Sequence, residues 1–89
     1  MNQNAHIVTL IDVRNNGYTP KKVYCFSSRE KAVRKMRELY RKELEKYGLK
    51  EEDVPENDTW IHGDFSNPPF EPYAYCNETY IDYFKTDIQ

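Results

Sequence analysis

At 89 residues the chain has room for one domain spanning 1–89 and none for a second, and with a mean hydropathy of −0.97 it offers no stretch apolar enough to cross a membrane. Aromatic residues make up 15% of it, so large rings are expected to close a core that the aliphatic side chains would leave thin. A net charge of −2 hides a reversal: residues 1–50 hold 12 of the 13 Lys and Arg against five acids, residues 51–89 hold one against ten, and the halves carry +7 and −9. Such asymmetry points to a charged partner or to two halves that face each other.

Met1 to Ala5 is polar and leads straight into His6–Val13, an apolar run too short and interrupted for a signal peptide. A cytoplasmic protein is expected. Cys25 and Cys76 then read as free thiols, and the sequons Asn57-Asp58-Thr59 and Asn77-Glu78-Thr79 as chance matches.

The β-branched residues of His6–Val13 predict a first strand, and Asn15-Asn16-Gly17 after it has the chemistry of a tight hairpin turn. Val23–Phe26 supplies the return strand. A two-residue turn at Asn16-Gly17 would set Asp12 opposite Lys21 and Leu10 opposite Val23, with Pro20 marking an edge or an irregularity. Ser27-Ser28-Arg29-Glu30 has capping-box spacing, with Ser27 as the cap of a long helix. Its apolar stripe is Val33, Met36, Tyr40, Leu44 and Tyr47, widened by Ala32 and Leu39. Gly48 suits the left-handed position after the last turn, where Leu49 would fold back on Leu44.

Beyond the helix, Lys50–Pro55 is expected to make a short turn and Thr59–Phe65 a third strand. A stiff loop carrying Pro68, Pro69 and Pro72 follows. Tyr73–Cys76 and Thr79–Thr86 then form a hairpin around Asn77-Glu78, with Tyr80 and Phe84 on the face opposite Ile81 and Tyr83. Strand, strand, helix, strand, strand, strand implies an α+β domain, one long amphipathic helix packed on a mostly antiparallel sheet of four to five strands.

Two surfaces compete as binding sites. Arg34, Lys35, Arg37, Arg41 and Lys42, flanked by Lys31 and Lys46, would grip phosphates without reading bases. Pairs such as Glu30 with Arg34 and Glu38 with Lys42 make the same residues an ordinary solvated face, and the pI of 5.7 lacks an overall basic footprint. The acidic half offers Glu51, Glu52, Asp53, Glu56 and Asp58 in one run, with Asp64, Glu71, Glu78, Asp82 and Asp87 among aromatics. These acids could imitate a phosphate backbone before a basic groove, or merely solubilise the sheet. Tyr73, Tyr75, Tyr80 and Tyr83, with Phe70 and Trp60, exceed what one helix covers; Trp60 and Phe84 are assigned to the core, Tyr73 and Tyr75 to an interface. If the helix packs by its stripe, its cations point away from the sheet and face-to-face neutralisation is not expected.

Catalysis and cofactors find little footing. His6 and His62 belong to no nucleophile, metal or phosphate motif, and the two Cys lack ligand spacing, so neither an enzyme nor a metal or cofactor site is expected. The junction Val23-Tyr24-Cys25-Phe26-Ser27-Ser28-Arg29-Glu30-Lys31-Ala32 resembles that of many small proteins encoded by bacteriophages and mobile elements, where a hairpin feeds a helix through a Phe-Ser-Ser step. The likeness covers the first half. It implies a compact, non-enzymatic class that includes anti-CRISPR and other anti-defence inhibitors acting in the host cytoplasm. The combined expectation is a binding module whose partner, a host protein or nucleoprotein complex, meets Glu51, Glu52, Asp53, Glu56, Asp58, Glu71, Tyr73, Tyr75 and Glu78. Direct nucleic-acid binding by the helix cations is the alternative. A monomer or a weak homodimer is expected, the latter joining one chain's basic helix to another's acidic edge.

Overall fold

The computed structural model describes residues 3–16, 20–68 and 70–88. Strands β1 (Gln3–Asp12), β2 (Pro20–Phe26), β3 (Ile61–Asp64), β4 (Tyr73–Cys76) and β5 (Thr79–Ile88) form one antiparallel sheet in the order β2-β1-β5-β4-β3. Between β1 and β2 lies a short helical turn, α1 (Val13–Asn16), and between β2 and β3 the long helix α2 (Arg29–Glu45) and a 3₁₀ turn at Glu51–Asp53. The α+β architecture and the expected element order therefore hold. No helix among the described residues is long and apolar enough to cross a membrane.

The first hairpin differs from its expected register. Thr9 pairs with Val23 and Leu10 with Lys22, and the register then shifts so that Ile11 meets Pro20 and Lys21 is left in a bulge. The cause lies at the end of β1. The Asp12 carboxylate accepts from the Arg14 backbone N–H at 3.0 Å and starts α1, while the Val13 N–H donates to the Glu78 carbonyl at 3.0 Å, so the chain leaves the ladder before any two-residue turn can form. Gly17 of the expected Asn16-Gly17 turn lies outside the described residues. The slip of one residue puts Val23 on the opposite face from Leu10.

The cap of α2 is Ser28, not Ser27: its hydroxyl accepts from the Lys31 N–H at 3.3 Å and its φ is −143°. From Ser28 the third helical residue is Lys31, which cannot accept, so a single cap replaces the expected box. At the other end Gly48 takes φ +71°, the Gly48 N–H reaches the Glu45 carbonyl and the Leu49 N–H the Leu44 carbonyl, both at 3.0 Å. This is the double hydrogen bond of a Schellman ending.

The buried arc of α2 is Ala32, Met36, Leu39, Tyr40, Glu43 and Leu44, turned from the expected stripe so that Val33 is half-buried and Tyr47 is exposed. Ala32, fully enclosed, has no bulk to hold the helix off the sheet, and Glu43 tolerates its position because Lys46 Nζ lies 2.9 Å from its carboxylate. Beneath this arc the sheet presents Val8, Leu10, Ile81, Tyr83, Ala74 and Cys76. At the edge strand, a Cβ on Gly63 would lie 2.7 Å from Tyr40 Cε2; glycine there lets the Tyr40 ring lie against β3. Burial among these groups pushes the Tyr40 phenol up to about 12.

Trp60 and Phe84, expected in the core, are 67% and 48% exposed. The Asp58 carboxylate accepts from the Trp60 and Ile61 N–H groups at 2.7 and 2.8 Å; this turn aims Ile61 inward and leaves Trp60 outside, and shortens β3 to four residues. Phe84 stands opposite Ile7 on the face away from the helix. The shortest molecular extent is 18 Å, enough for one helix over one sheet, and among the described residues no second helix or sheet lies over that face.

Candidate functional site

The uncovered face follows from period two and the register. One row across the sheet runs His62, Tyr75, Tyr80, Ile11, Pro20; the next runs Asp64, Tyr73, Asp82, Thr9, Val23; a third runs Phe84, Ile7, Cys25. The rings touch one another: His62 lies 5.6 Å from Tyr73 and 6.0 Å from Tyr75 between centroids, Tyr73 and Tyr75 stack at 6.4 Å, and Tyr75 leans on Tyr80 at 6.1 Å. Tyr73 is 41% exposed, Phe84 48% and Val23 61%. An antiparallel sheet with one solvated face ordinarily shows polar residues there; this one shows a continuous aromatic and aliphatic surface.

Its charges are all of one sign at the described strand positions. Asp64 and Asp82 are the two carboxylates, and no Lys or Arg shares the face; Lys21 occupies the bulge at one corner. Asp64 is satisfied locally, accepting from the Ser66 N–H at 3.0 Å and from its hydroxyl, bonds that hold its carboxyl below the usual carboxylate range. Asp82 has no ion pair or side-chain hydrogen bond among the described residues, and burial beside its neighbours pushes its carboxyl up.

Of the predicted partner-binding residues, the structure brings Tyr73 and Tyr75 to this face and disperses the rest. Glu51 is held by Arg37 and Arg41 at 3.4 and 3.3 Å on the helix side, its Oε1 at ion-pair distance from Arg37 but without hydrogen-bond geometry. Asp53 accepts from the Lys50 N–H at 3.0 Å and Asp58 from Trp60 and Ile61. Glu52 and Glu56 are exposed along the same linker, Glu71 in the proline loop, and Glu78 at the β4–β5 turn, 3.7 Å from Arg14. Much of the acidic run shapes backbone or neutralises the helix, so it does not form one recognition surface with the tyrosines. Among the described residues no α2 cation pairs with an acid of the strands, in line with the expectation that helix and sheet do not neutralise each other face to face; the pairing that does occur comes from Glu51, because the linker after the helix doubles back along it.

The alternative site is likewise engaged within the chain. Lys35 pairs with Glu38 at 3.4 Å and lies 4.8 Å over the Tyr24 ring, and Lys42 pairs with Glu38 at 3.5 Å. Arg37 and Arg41 share Glu51, and Arg37 also covers Phe65 at 4.8 Å. Arg34 is exposed and makes no ion pair with Glu30 among the described contacts. A groove of about 590 Å³ between α2 and the proline loop is lined by Arg29, Arg34, Arg37, Phe65 and Pro68, but Arg29 donates to the Ser66 and Phe70 carbonyls at 2.7 and 2.8 Å to brace that loop. Pro69 of the loop lies outside the described residues.

Cys25 is exposed on the open face; Cys76 is buried under the helix, where desolvation raises its thiol. His6 bonds the Tyr83 hydroxyl at 2.8 Å, apart from either cysteine's strand pairing. Among the described residues no three His, Cys, Asp or Glu side chains gather as a metal site. Sequence reasoning missed Ile7, Ile11 and His62 as parts of a surface and assigned Phe84 to the core; it named Tyr80 among the rings in excess and Asp82 among the acids without joining them on one face. A signal was present: in Ile7-Val8-Thr9-Leu10-Ile11 and Tyr80-Ile81-Asp82-Tyr83-Phe84 both phases of the alternation carry large apolar residues, interrupted in one phase only by Thr9 and Asp82, unlike the apolar-in, polar-out pattern of a strand with one solvated face. Comparison with known proteins returns no family model, no curated protein sequence and no solved structure that matches this chain.

Proposed function

We propose that the chain is a non-enzymatic protein-binding module that docks a protein partner on the open face of its sheet. The observation that supports this reading is the composition of that face: contiguous rings and aliphatic side chains around two carboxylates, with no strand-borne cation at its described positions. Exposed aromatic anchors give binding energy when desolvated, and acids among them select a cationic partner surface. A host nucleic-acid-processing or defence complex, the target class implied by the resemblance at Val23–Ala32, would offer such a surface in its nucleic-acid groove, and Asp64 and Asp82 would then stand where phosphates otherwise lie.

Two alternatives are less favoured. Nucleic acid stacked on the open face would bring phosphates to Asp64 and Asp82, and nucleic acid on the helix would have to displace the Glu38 and Glu51 pairs. Two copies joined by their open faces would bring four carboxylates together. The test compares capture from host lysate by wild type, by the double variant Tyr73→Ser with Phe84→Ser, and by Arg34→Glu with Arg41→Glu. The expected result is a defined protein retained by wild type and by the helix variant and lost by the sheet variant. Loss with the helix variant alone, accompanied by a DNA or RNA mobility shift at low salt, would overturn the reading in favour of the helix cations.

A further inference from the structure

Asp82 is placed unlike any other acid of the chain. On β5 its neighbours along the open face are Tyr80 and Phe84; across the ladders Tyr73 stands opposite it on one side and Thr9 on the other. The diagonal positions are Tyr75, Ile7 and Ile11. Directly opposed side chains on neighbouring strands stand about 5 Å apart at Cβ, so the carboxylate emerges at the centre of a ring of rings and methyl groups. The other acids have local duties or an open solvent setting: Asp12 holds Arg14 at 3.2 Å, Glu38 and Glu43 hold lysines, Glu51 holds two arginines, and Asp53, Asp58 and Asp64 cap backbone N–H groups. Asp82 is exposed too, but it has no ion pair or side-chain hydrogen bond among the described residues, and its ladder neighbours are rings and aliphatic side chains rather than polar groups, Thr9 excepted. While the face is open its carboxylate keeps much of its hydration; a partner that covers the surrounding apolar groups would strip that water and must bring a cation to replace it.

We infer that Asp82 is the specificity-determining residue of the open face, and that it receives an arginine side chain of the partner protein. Arginine fits this setting better than lysine. A guanidinium is planar, weakly hydrated and able to lie on an aromatic face while giving two parallel N–H bonds to a carboxylate, whereas an ammonium is compact and strongly hydrated. Tyr73, directly opposite Asp82 and stacked with Tyr75, supplies the aromatic surface, while Thr9 on the other side is buried and leaves that approach to the flanking Ile7 and Ile11. Desolvation by the partner's surroundings would strengthen both contacts. The inference depends on the open face being the docking surface, and its test separates the two ideas.

Isotope-labelled full-length protein is titrated at low salt with N-acetyl-arginine N-methylamide, and with the corresponding lysine and norleucine compounds, following backbone amides and the Asp82 carboxyl carbon. Arginine is expected to give saturable shifts at Thr9, Tyr73 and Asp82 and to lower the Asp82 carboxyl pKa. The lysine compound is expected to bind at least threefold more weakly, and Asp82→Asn, checked for a native spectrum, to weaken arginine binding at least fivefold, with partial recovery in Asp82→Glu. Equal binding by Asp82→Asn, equal response to lysine and arginine, an unmoved carboxyl titration, or no shift with any compound overturns the inference. Shifts of the same amides by norleucine with no advantage for arginine would overturn it while leaving the open face as the docking surface.

Discussion

The two faces of the sheet are built from the same strands and both carry large apolar side chains, yet one is the core and the other is surface. Val8, Leu10, Ile81, Tyr83, Ala74 and Cys76 lie under α2, while Ile7, Ile11, Tyr80, Phe84, Tyr73 and Tyr75 occupy the alternate positions, half-buried or exposed, with no helix over them among the described residues. The difference is the presence of a second layer. A strand with large apolar side chains on both phases is stabilised within the fold by the face that is covered; under the proposed function, the other face supplies its apolar surface to a partner.

The strongest way to break this comparison is to truncate one residue on each side. Leu44→Ala removes a fully buried side chain of α2 and is expected to cost about 2–5 kcal/mol in urea unfolding, whereas Phe84→Ala should change the stability of the isolated chain by under about 1 kcal/mol. Equal losses would mean that the open face already contributes to the fold as a core does. A smaller effect tests where the covered face ends. In Gly63→Ala the new methyl meets Tyr40 at 2.7 Å and Phe65 at 3.0 Å, and a loss of about 1–3 kcal/mol is expected from overpacking. A neutral result would place the Tyr40 ring away from β3.

The smallest effect concerns Asp82. Its carboxyl is raised in the folded chain by burial, so the folded state holds the proton more tightly than the unfolded one; the ionised group costs stability above its folded pKa, and the cost vanishes as pH falls through that value. Because Asp82 is exposed, solvent screens most of this cost, and Asp82→Asn is expected to lie within about 0.5 kcal/mol of wild type at pH 7, on the more stable side, the difference disappearing in acid. A destabilised variant at pH 7 would reveal a favourable partner for the carboxylate within the chain.

Local chemistry made much of the fold legible. The Gly48 ending of the helix, with Leu49 returning to Leu44, needs only a left-handed glycine and a following apolar residue, and both are visible in order along the chain. The final hairpin is equally local, closing at Asn77 with φ +55°. The start of the helix was ambiguous by one residue, because Ser27 and Ser28 carry the same hydroxyl and only backbone geometry chooses between them. For the candidate site, Tyr73 and Tyr75 were visible as aromatics in excess of the helix's reach, whereas Asp82 was one acid among ten and nothing near it in sequence set it apart.

The amino-acid sequence by itself determined the period of every element: alternation assigned Tyr80 and Phe84 to one side of β5 and Ile81 and Tyr83 to the other, and the 3.6-residue repeat assigned Met36, Tyr40 and Leu44 to one side of α2. Only the tertiary structure decided which side faces in. That choice depends on strand register and on where the helix comes to rest, and both are set by contacts distant in sequence: the Val13 bond to Glu78, the shift beside Pro20 and the approach permitted by Ala32 and Gly63. The charge reversal near Lys50 was resolved in the same way. The helix ends there, the linker doubles back, and Glu51 closes on Arg37 and Arg41, leaving the acids of the distant strands, Asp64 and Asp82, as the charges that give the open face its sign.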